Sequence, residues 1–422
     1  MQDQPIDKVP SILSKVTLLR GDKVLWAIIP ILFTLSALVV YSSVAKMGYA
    51  QMGTHTTAIF TRHLAIMAVA AVVLFGAYAF GARLLYKLAP YAYAICWLLT
   101  LGVYIFGAQG ADASRWYNIM GISLQPSELL KFATLLLLAR NLDLAQQNID
   151  KQQLIPSLNP RNWRKGKRAK QIEILRNGVW RILCPIALSA AVILKAHNSS
   201  ALLVFVVGIT MVIIARAKWL EVGKVALIAL FFVVLYIGLG SGRSSTISTR
   251  WNNFVEYWTD SQQSGKTTDA DYAMVAIYDG GVLGVGAGQS VMRAKIVHPE
   301  SDYIFAFFVE EYGIIIGMLL IMMYAWIFAR ALHIFRNARW LFGGLLVVGL
   351  ALMITAQAIL HFAVSTNLFM ETGQNLPLIS HGGTSMVCTA AALGVILSIS
   401  RQVENDSLTP PEGIAAMTPT EE

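Results

Sequence analysis

The hydrophobic positions of this chain fall into long runs that are separated by shorter polar segments. A membrane-spanning helix needs about 20 mostly apolar residues, and ten runs are candidates. They are Val24–Ser42, His63–Ala82, Leu88–Gly107, Pro126–Leu142, Gly178–Ala196, Ser200–Ala215, Leu220–Gly240, Tyr303–Ala329, Leu341–Ala363 and Gly383–Ile399. The fourth run is the weakest, because Glu128 and Lys131 interrupt its first turns. The pattern predicts an all-α integral membrane protein of about ten transmembrane helices.

Composition supports this prediction. The 422 residues are 56% hydrophobic and 14% charged, whereas soluble domains carry about 25% charged residues. One membrane domain over residues 24–400 accounts for the chain, and no second soluble domain is visible. The net charge of +9 does not indicate nucleic acid, because excess Lys and Arg in a membrane protein usually marks the cytoplasmic loops.

The basic residues predict the orientation. If residues 1–23 are cytoplasmic and the spans alternate, most Lys and Arg residues fall on the cytoplasmic side, with a dense cluster in the loop 143–177. This bias predicts that both termini are cytoplasmic. The first residues lack the apolar core and cleavage site of a signal peptide. The Pro-, Thr- and Glu-rich tail, residues 401–422, is predicted to be disordered.

A long exported loop is predicted between spans seven and eight, at residues 241–302. Loops above about 12–15 residues are usually functional or disordered, and this one contains aromatic residues and the Gly-rich stretch Gly280–Ser290. We expect it to fold back on the membrane surface. The glycines lack the strand–helix unit of a phosphate-binding loop, so they indicate tightly packed or re-entrant backbone.

Asp302 ends the exported loop at the mouth of the eighth span. One interpretation is an acid at a helix N-terminus, stabilised by the helix dipole. The other is a general base, which must be held near the substrate where water is partly excluded. A carboxylate at a membrane boundary is costly unless it is hydrated, paired or used, and position alone does not decide between the two.

The fourth run begins with a second polar group, Gln125 to Lys131. Pro126 suits the first helical position, and Gln125 or Ser127 can satisfy open backbone N–H groups. Glu128 and Lys131 are three residues apart, so they share a helix face and can pair. Such a pair either locks two helices together or forms a polar wall of a substrate cavity.

Polar residues also precede the last span. Ser380, Thr384 and Ser385 could line the same exported-face cavity, while two glycines permit a tight turn into the helix. His381 alone is weak evidence for acid–base chemistry. We find no metal or cofactor motif, and the three cysteines show no ligand or disulfide spacing. The sequence does not decide whether a divalent cation assists.

Together these motifs resemble the SEDS family of bacterial membrane proteins, which includes FtsW and RodA. The resemblance covers about residues 20 to 400, and the final motif is closer to the FtsW branch. The matching motifs are Ser114-Arg115-Trp116, Gln125-Pro126-Ser127-Glu128 with Lys131, Gly280–Ser290, His298–Phe305 with Glu310 and Glu311, and Leu376–Ser385. Departures are Lys195–Ser200 in place of a Gln-Pro-Asp-Leu-Gly-Thr motif, Ser301 for Thr, His381 for Tyr and Thr384 for Ser.

The resemblance implies a ten-span peptidoglycan glycosyltransferase that polymerises lipid II into glycan strands during septal wall synthesis. It implies that Asp302 is the catalytic residue, and that Glu128 and Lys131 form a functional buried pair. Developing charge on the undecaprenyl pyrophosphate leaving group needs cations. The candidates are Arg115 and Arg250 first, then Lys295 and Lys131.

The expected partners are lipid II, the growing strand, a class B penicillin-binding transpeptidase resembling FtsI, and other division proteins of the bacterial inner membrane. Nucleic acid is not expected. Three alternatives stay open: a RodA-like elongation polymerase, a lipid II flippase, and a non-enzymatic division scaffold. Inverted repeats would favour a transporter, and we see no convincing repeat. A scaffold leaves the long exported loop unexplained.

Overall fold

The computed structural model describes residues 20–50, 56–106, 116–119, 122–146, 153–156, 168–238, 243–259, 268–292, 295–296 and 302–408. The helices are α1 (Lys23–Ala50), α2 (Thr56–Ala79), α3 (Ala82–Phe106), α4 (Pro126–Ala145), α5 (Arg168–Ile174), α6 (Cys184–Ala196), α7 (Asn198–Ile214), α8 (Trp219–Gly238), α9 (Arg243–Thr259), α10 (Asp269–Gly280), α11 (Ile304–Asn337), α12 (Leu341–Ser365) and α13 (Gly383–Leu408). Each predicted span lies on a helix. Within the described residues, seven helical stretches are long and apolar enough to cross a membrane, and the total of ten spans stays a prediction.

Helix α12 lies at the centre of the bundle. Most of its residues are buried, whereas few residues of α2 and α3 are buried. Small residues let neighbouring helices approach α12 closely: a Cβ on Gly349 would lie 2.5 Å from the sulfur of Met211 on α7. The apolar runs therefore form helices for two reasons, since helical hydrogen bonds satisfy the backbone in lipid and side chains pack around α12.

The fifth span begins earlier than its predicted start at Gly178. A π-helical segment, Leu175–Leu183, joins α5 to α6 without interruption. A Cβ on Gly178 would lie 2.5 Å from the carbonyl oxygen of Leu154, so the short segment 153–156 packs directly on this wide turn. Glu221 of α8 holds the segment in place, because its Oε2 accepts a hydrogen bond of 3.1 Å from Leu154 N.

The tail prediction is wrong for residues 401–408. Helix α13 continues to Leu408, because its last turns bind the start of the chain. Gly21 N donates to Glu404 Oε2 at 2.7 Å, and the guanidinium of Arg401 lies 4.4 Å from the ring centroid of Tyr78. The rest of the predicted tail lies outside the described residues.

A short β-ribbon, which the sequence did not predict, precedes α4. Strands β1 (Tyr117–Ile119) and β2 (Ile122–Leu124) pair antiparallel. Three residues are too few for a recognisable alternating pattern. Thr384 attaches the ribbon to α13: its Oγ1 accepts from Gln125 N at 3.0 Å and donates to Ser123 O at 3.1 Å.

The described part of the loop between α8 and α11 includes α9, α10 and the Gly-rich stretch, and α10 packs on the first turns of α11. Their contact is a small apolar core whose described members include Ala273, Ala276, Ile296, Tyr303, Ala306 and Phe307. Packing of α10 on α11 is consistent with a loop that folds back, and its position on a membrane surface stays a prediction.

The Gly-rich stretch is tightly packed backbone, as predicted. Helix α11 is interrupted at Gly313, where φ is 83°. Val285 N donates to Glu310 O at 2.9 Å, Gly286 N donates to Glu311 O at 3.0 Å, and Ile314 N donates to Gly281 O at 3.0 Å. The loop therefore satisfies backbone groups that the break in α11 leaves open.

Gly284→Ala should lower the apparent melting temperature of the purified protein sharply. Gly284 has φ +82°, and a Cβ there would lie 2.3 Å from Glu311 O. Gly288→Ala is the matched control, because Gly288 has φ +78° but a Cβ there would meet no atom of the described chain within 4 Å. We expect the control to cost only about 1–2 kcal/mol for its left-handed conformation. Equal melting temperatures for the two variants would contradict the close packing.

Candidate functional site

Asp302 lies immediately before α11 but does not occupy its N-cap position. The helix begins at Ile304 with Tyr303 as the N-cap residue, and Tyr303 makes no side-chain capping bond. Asp302 is half-buried. Asp302 thus lies one residue before the N-cap, close enough to the helix N-terminus that stabilisation by the helix dipole stays open beside the general-base interpretation.

Charged groups from four parts of the chain meet around Tyr303. Its buried phenol lies within electrostatic range of Glu371, Asp269, Asp302 and Arg250. Arg250 on α9 also donates from Nη1 to the carbonyl oxygen of Glu371 at 3.1 Å. Grouped carboxylates repel one another unless a cation balances them. The arrangement therefore combines a candidate base with a guanidinium that is held by the backbone.

Lys295 lies near the same apolar core as Tyr303. Its Nζ is 5.4 Å from the ring centroid of Tyr272, and Tyr272 packs against the apolar core that contains Tyr303. The ammonium is exposed, and a cation–π contact of this kind is weak at the surface. Lys295 can therefore move towards an anionic ligand at little cost.

The predicted ion pair between Glu128 and Lys131 is present. Lys131 Nζ lies 2.8 Å from Glu128 Oε1, and the Lys131 side chain is fully buried. The distance is that of an ion pair, although neither Lys131 Nζ nor Glu128 Oε2 makes a well-aligned hydrogen bond within the described residues. Both charged groups of α4 are thus buried and can still form further hydrogen bonds.

Segment 371–382 binds two other parts of the chain, α9 and the start of α7. At one end Glu371 binds Arg250. In the middle, Gln374 Nε2 donates to Ser199 Oγ and Ser200 Oγ, both at 2.8 Å. Segment 371–382 therefore also docks on the start of α7, at the Lys195–Ser200 departure.

Two predicted polar residues near α13 have structural bonds. Ser380 Oγ accepts from Leu376 N at 2.8 Å, and the carbonyl of Ser385 accepts from Thr389 Oγ1 at 2.8 Å. Both serines are buried. Of the two predicted capping residues of α4, Gln125 makes no side-chain cap bond, and Thr384 binds its backbone instead. Capping by Ser127 stays a prediction.

Some predicted residues lie outside the described part of the chain. Arg115 is one, as is the stretch from His298 to Ser301. Sequence reasoning in turn missed Asp269, Glu371 and Gln374, which no motif marks. The only available signal was their location in segments that the sequence predicts to be exported. Within the described residues, no three His, Cys, Asp or Glu side chains are placed to hold a metal ion.

The chain matches a family of known proteins over most of its length. The family model described as cell cycle protein FtsW, RodA and SpoVE matches residues 22–405. A protein of Geobacter metallireducens named probable peptidoglycan glycosyltransferase FtsW is 28% identical over 316 residues, which are 73% of this chain and 76% of that protein. Stage V sporulation protein E of Bacillus subtilis is 29% identical over 314 residues, 73% and 77% of the two chains.

Solved structures share the fold. The rod shape determining protein RodA of Thermus thermophilus superposes with a TM-score of 0.60 at 20% identity, covering 90% of this chain and 97% of RodA. A chain from a peptidoglycan synthase complex, described as coordinating polymerization and crosslinking, gives a TM-score of 0.64 at 20% identity over 91% and 98% of the two chains. At this identity the likeness supports the fold alone.

Proposed function

The chain belongs to the FtsW, RodA and SpoVE family of cell cycle proteins, and from this premise we propose that it polymerises lipid II into glycan strands. Glycosyltransferase activity is supported at the family level by the named relatives. The observation that carries the finer proposal is the half-buried Asp302, which shares with Arg250, Asp269 and Glu371 a position within electrostatic range of Tyr303.

In the proposed reaction Asp302 acts as general base. It takes the proton from the 4-hydroxyl of the acceptor sugar on one lipid II. That oxygen attacks the anomeric carbon of the lipid-linked strand from the side opposite the leaving group, so the configuration is inverted. The bond from the anomeric carbon to the phosphate oxygen breaks, and its electron pair leaves with undecaprenyl pyrophosphate. A positioned base typically contributes 10²–10⁴-fold.

Cations stabilise the leaving pyrophosphate in this proposal. Arg250 donates to the backbone of Glu371 and, like Asp302, lies within electrostatic range of Tyr303. Lys295 has an exposed side chain beside Tyr272. Arg115 and the buried Lys131 are the other candidates from the sequence. Positive charge held where negative charge develops is often the largest single catalytic effect.

We further propose a role in septal wall synthesis, with both termini cytoplasmic and the Asp302 side exported. The partner would be a class B penicillin-binding transpeptidase that crosslinks the new strands. The similarity to proteins named probable peptidoglycan glycosyltransferase FtsW supports this assignment over a scaffold without activity.

A lipid II transporter is the second candidate, and the buried Glu128–Lys131 pair favours it. Ionisable groups inside membrane spans often mark transport pathways. Liposomes that contain the purified protein and fluorescent lipid II separate the candidates. A polymerase converts lipid II into glycan polymer, whereas a transporter moves intact lipid II between leaflets. Translocation without any polymer, with the transpeptidase present, would overturn the proposed function.

A further inference from the structure

A chain of polar groups, which the proposed reaction does not use, runs from α1 to the segment before α13. Ser36 Oγ donates to the carbonyl oxygen of Ile379 at 3.1 Å. His63 Nε2 on α2 lies 3.1 Å from the same Ser36 Oγ. His63 Nδ1 lies 3.2 Å from Nδ1 of His381. The two imidazole rings are thus linked to a fixed backbone acceptor.

These contacts fix the tautomers of both rings. A carbonyl oxygen only accepts, so the single hydroxyl proton of Ser36 is used on Ile379. His63 Nε2 must therefore carry the proton that it shares with Ser36 Oγ. In a neutral ring His63 Nδ1 is then an acceptor, so the proton between the two rings belongs to Nδ1 of His381. The Nε2 atom of His381 is left with its lone pair.

Burial keeps both rings neutral. Ser36 and His63 are fully buried, where an imidazolium without a counter-charge would be costly. Burial lowers the pKa of His381, and the nearby positive charge of Arg62 lowers it further. Arg62 therefore disfavours a second proton on His381, and the Nε2 lone pair stays available at neutral pH.

The free lone pair faces an accessible space. His381 is half-buried, and its Nε2 makes no hydrogen bond with the described part of the chain. This atom is not fully enclosed by protein atoms. Its neighbours Ser380 and Thr384 are already bound to Leu376 N and to the β-ribbon. Both hydroxyls are thus held by backbone groups, whereas the Nε2 lone pair of His381 makes no such bond within the described chain.

We propose that His381 Nε2 is a substrate-binding acceptor, held in the Nδ1–H tautomer by His63 and Ser36, which are positioning residues. Its ligand is a hydroxyl or amide N–H of the carbohydrate part of the lipid-linked substrate. This identification of the ligand rests on the proposed function, because a disaccharide is rich in such donors. Arg62 lies beside the site and suits a substrate that also carries phosphate.

Nitrogen NMR on protein labelled with ¹⁵N-histidine tests the tautomers directly, and it does so independently of any activity. We expect the His381 signal, assigned by its loss in His381→Gln, to show Nδ1 protonated and Nε2 bare. His63 should show the opposite pattern. In Ser36→Ala the constraint is removed, so both rings should become tautomer mixtures. A wild-type His381 with the proton on Nε2 would overturn the proposal.

Binding of lipid II to two variants tests the ligand. Asn keeps a donor near the Nδ1 position but has no acceptor at Nε2, so His381→Asn should weaken lipid II binding about tenfold, the loss expected for one hydrogen bond that leaves a polar group unpaired. Gln can place an oxygen near Nε2, so His381→Gln should stay within about threefold of wild type. In the polymerisation assay the Asn variant should raise KM more than it lowers kcat.

Equal binding by the Asn variant and the wild type, with both folded, would refute the ligand assignment. The outcome remains separable from the proposed function. If the wild type binds lipid II but never polymerises it, the polymerase proposal fails while the His381 site stands. If binding is unchanged in the Asn variant while polymerisation proceeds, the polymerase proposal stands and the His381 site fails.

Discussion

Replacing Asp302 with asparagine is expected to lower the initial rate of lipid II polymerisation about 100-fold or more, the range typical of a lost general base. Asparagine keeps the size of the side chain but cannot take the acceptor proton. Because Asp302 is not the N-cap residue of α11, we expect the variant to keep the melting temperature of the wild type. The release of undecaprenyl pyrophosphate from purified protein gives the rate.

Asp279→Asn is the matched control for this prediction. Asp279 is also an acid of the loop between α8 and α11, but it lies exposed on α10. The charged groups around Tyr303 do not include it. We expect its rate to equal that of the wild type. Equal losses of rate in the two variants would indicate that the rate depends on the total charge of the loop. A fully active Asp302→Asn variant would contradict the catalytic assignment.

The second large effect concerns the buried pair of α4. Lys131→Met leaves the carboxylate of Glu128 buried without a partner, and breaking such a pair typically costs about 3–5 kcal/mol of stability. We therefore expect a marked fall in melting temperature. Glu128→Gln combined with Lys131→Met removes both charges and should recover most of the lost stability. No uncompensated charge then remains buried.

Activity of this double variant separates the two interpretations of the pair. If Glu128 and Lys131 form a wall of the substrate cavity, the folded and stable double variant should remain inactive in the polymerisation assay. If they only lock α4 against its neighbours, activity should return together with the melting temperature. The proposal that Lys131 contacts the substrate predicts the first result, and recovery of full activity would contradict it.

The sequence predicted the helices well, because each apolar run long enough to bury its backbone in lipid became a helix. It failed where tertiary contacts decide local structure. The π-helical segment depends on the close approach of Leu154 to Gly178, which no local pattern encodes. The last turns of α13 are stabilised by Gly21, a residue from the other end of the chain.

Only part of the candidate site could be predicted, because its remaining residues come together through tertiary contacts. Asp302 and the Glu128–Lys131 pair were recognisable, since ionisable residues next to or within apolar runs are costly and therefore conspicuous. Asp269, Glu371 and Gln374 lie in polar segments where such residues are common. Only the folding of α9, α10 and segment 371–382 onto the start of α11 brings the two acids close to Tyr303.

The role proposed for His381 depends on contacts that the sequence alone does not indicate. A single histidine before the last span gave little evidence of chemistry. Its contact with His63, and the contact of His63 with Ser36, fix where its proton resides. Those residues are far apart in sequence, so the tautomer argument could not be made before the helices were placed.

The chemical fate of labelled lipid II, incubated with the purified protein and then treated with a muramidase, tests the central claim most directly. We predict that the protein converts lipid II into a high-molecular-weight product with release of undecaprenyl pyrophosphate, and that the muramidase degrades this product to disaccharide units. Lipid II recovered intact after incubation with folded protein and its transpeptidase partner would contradict the account.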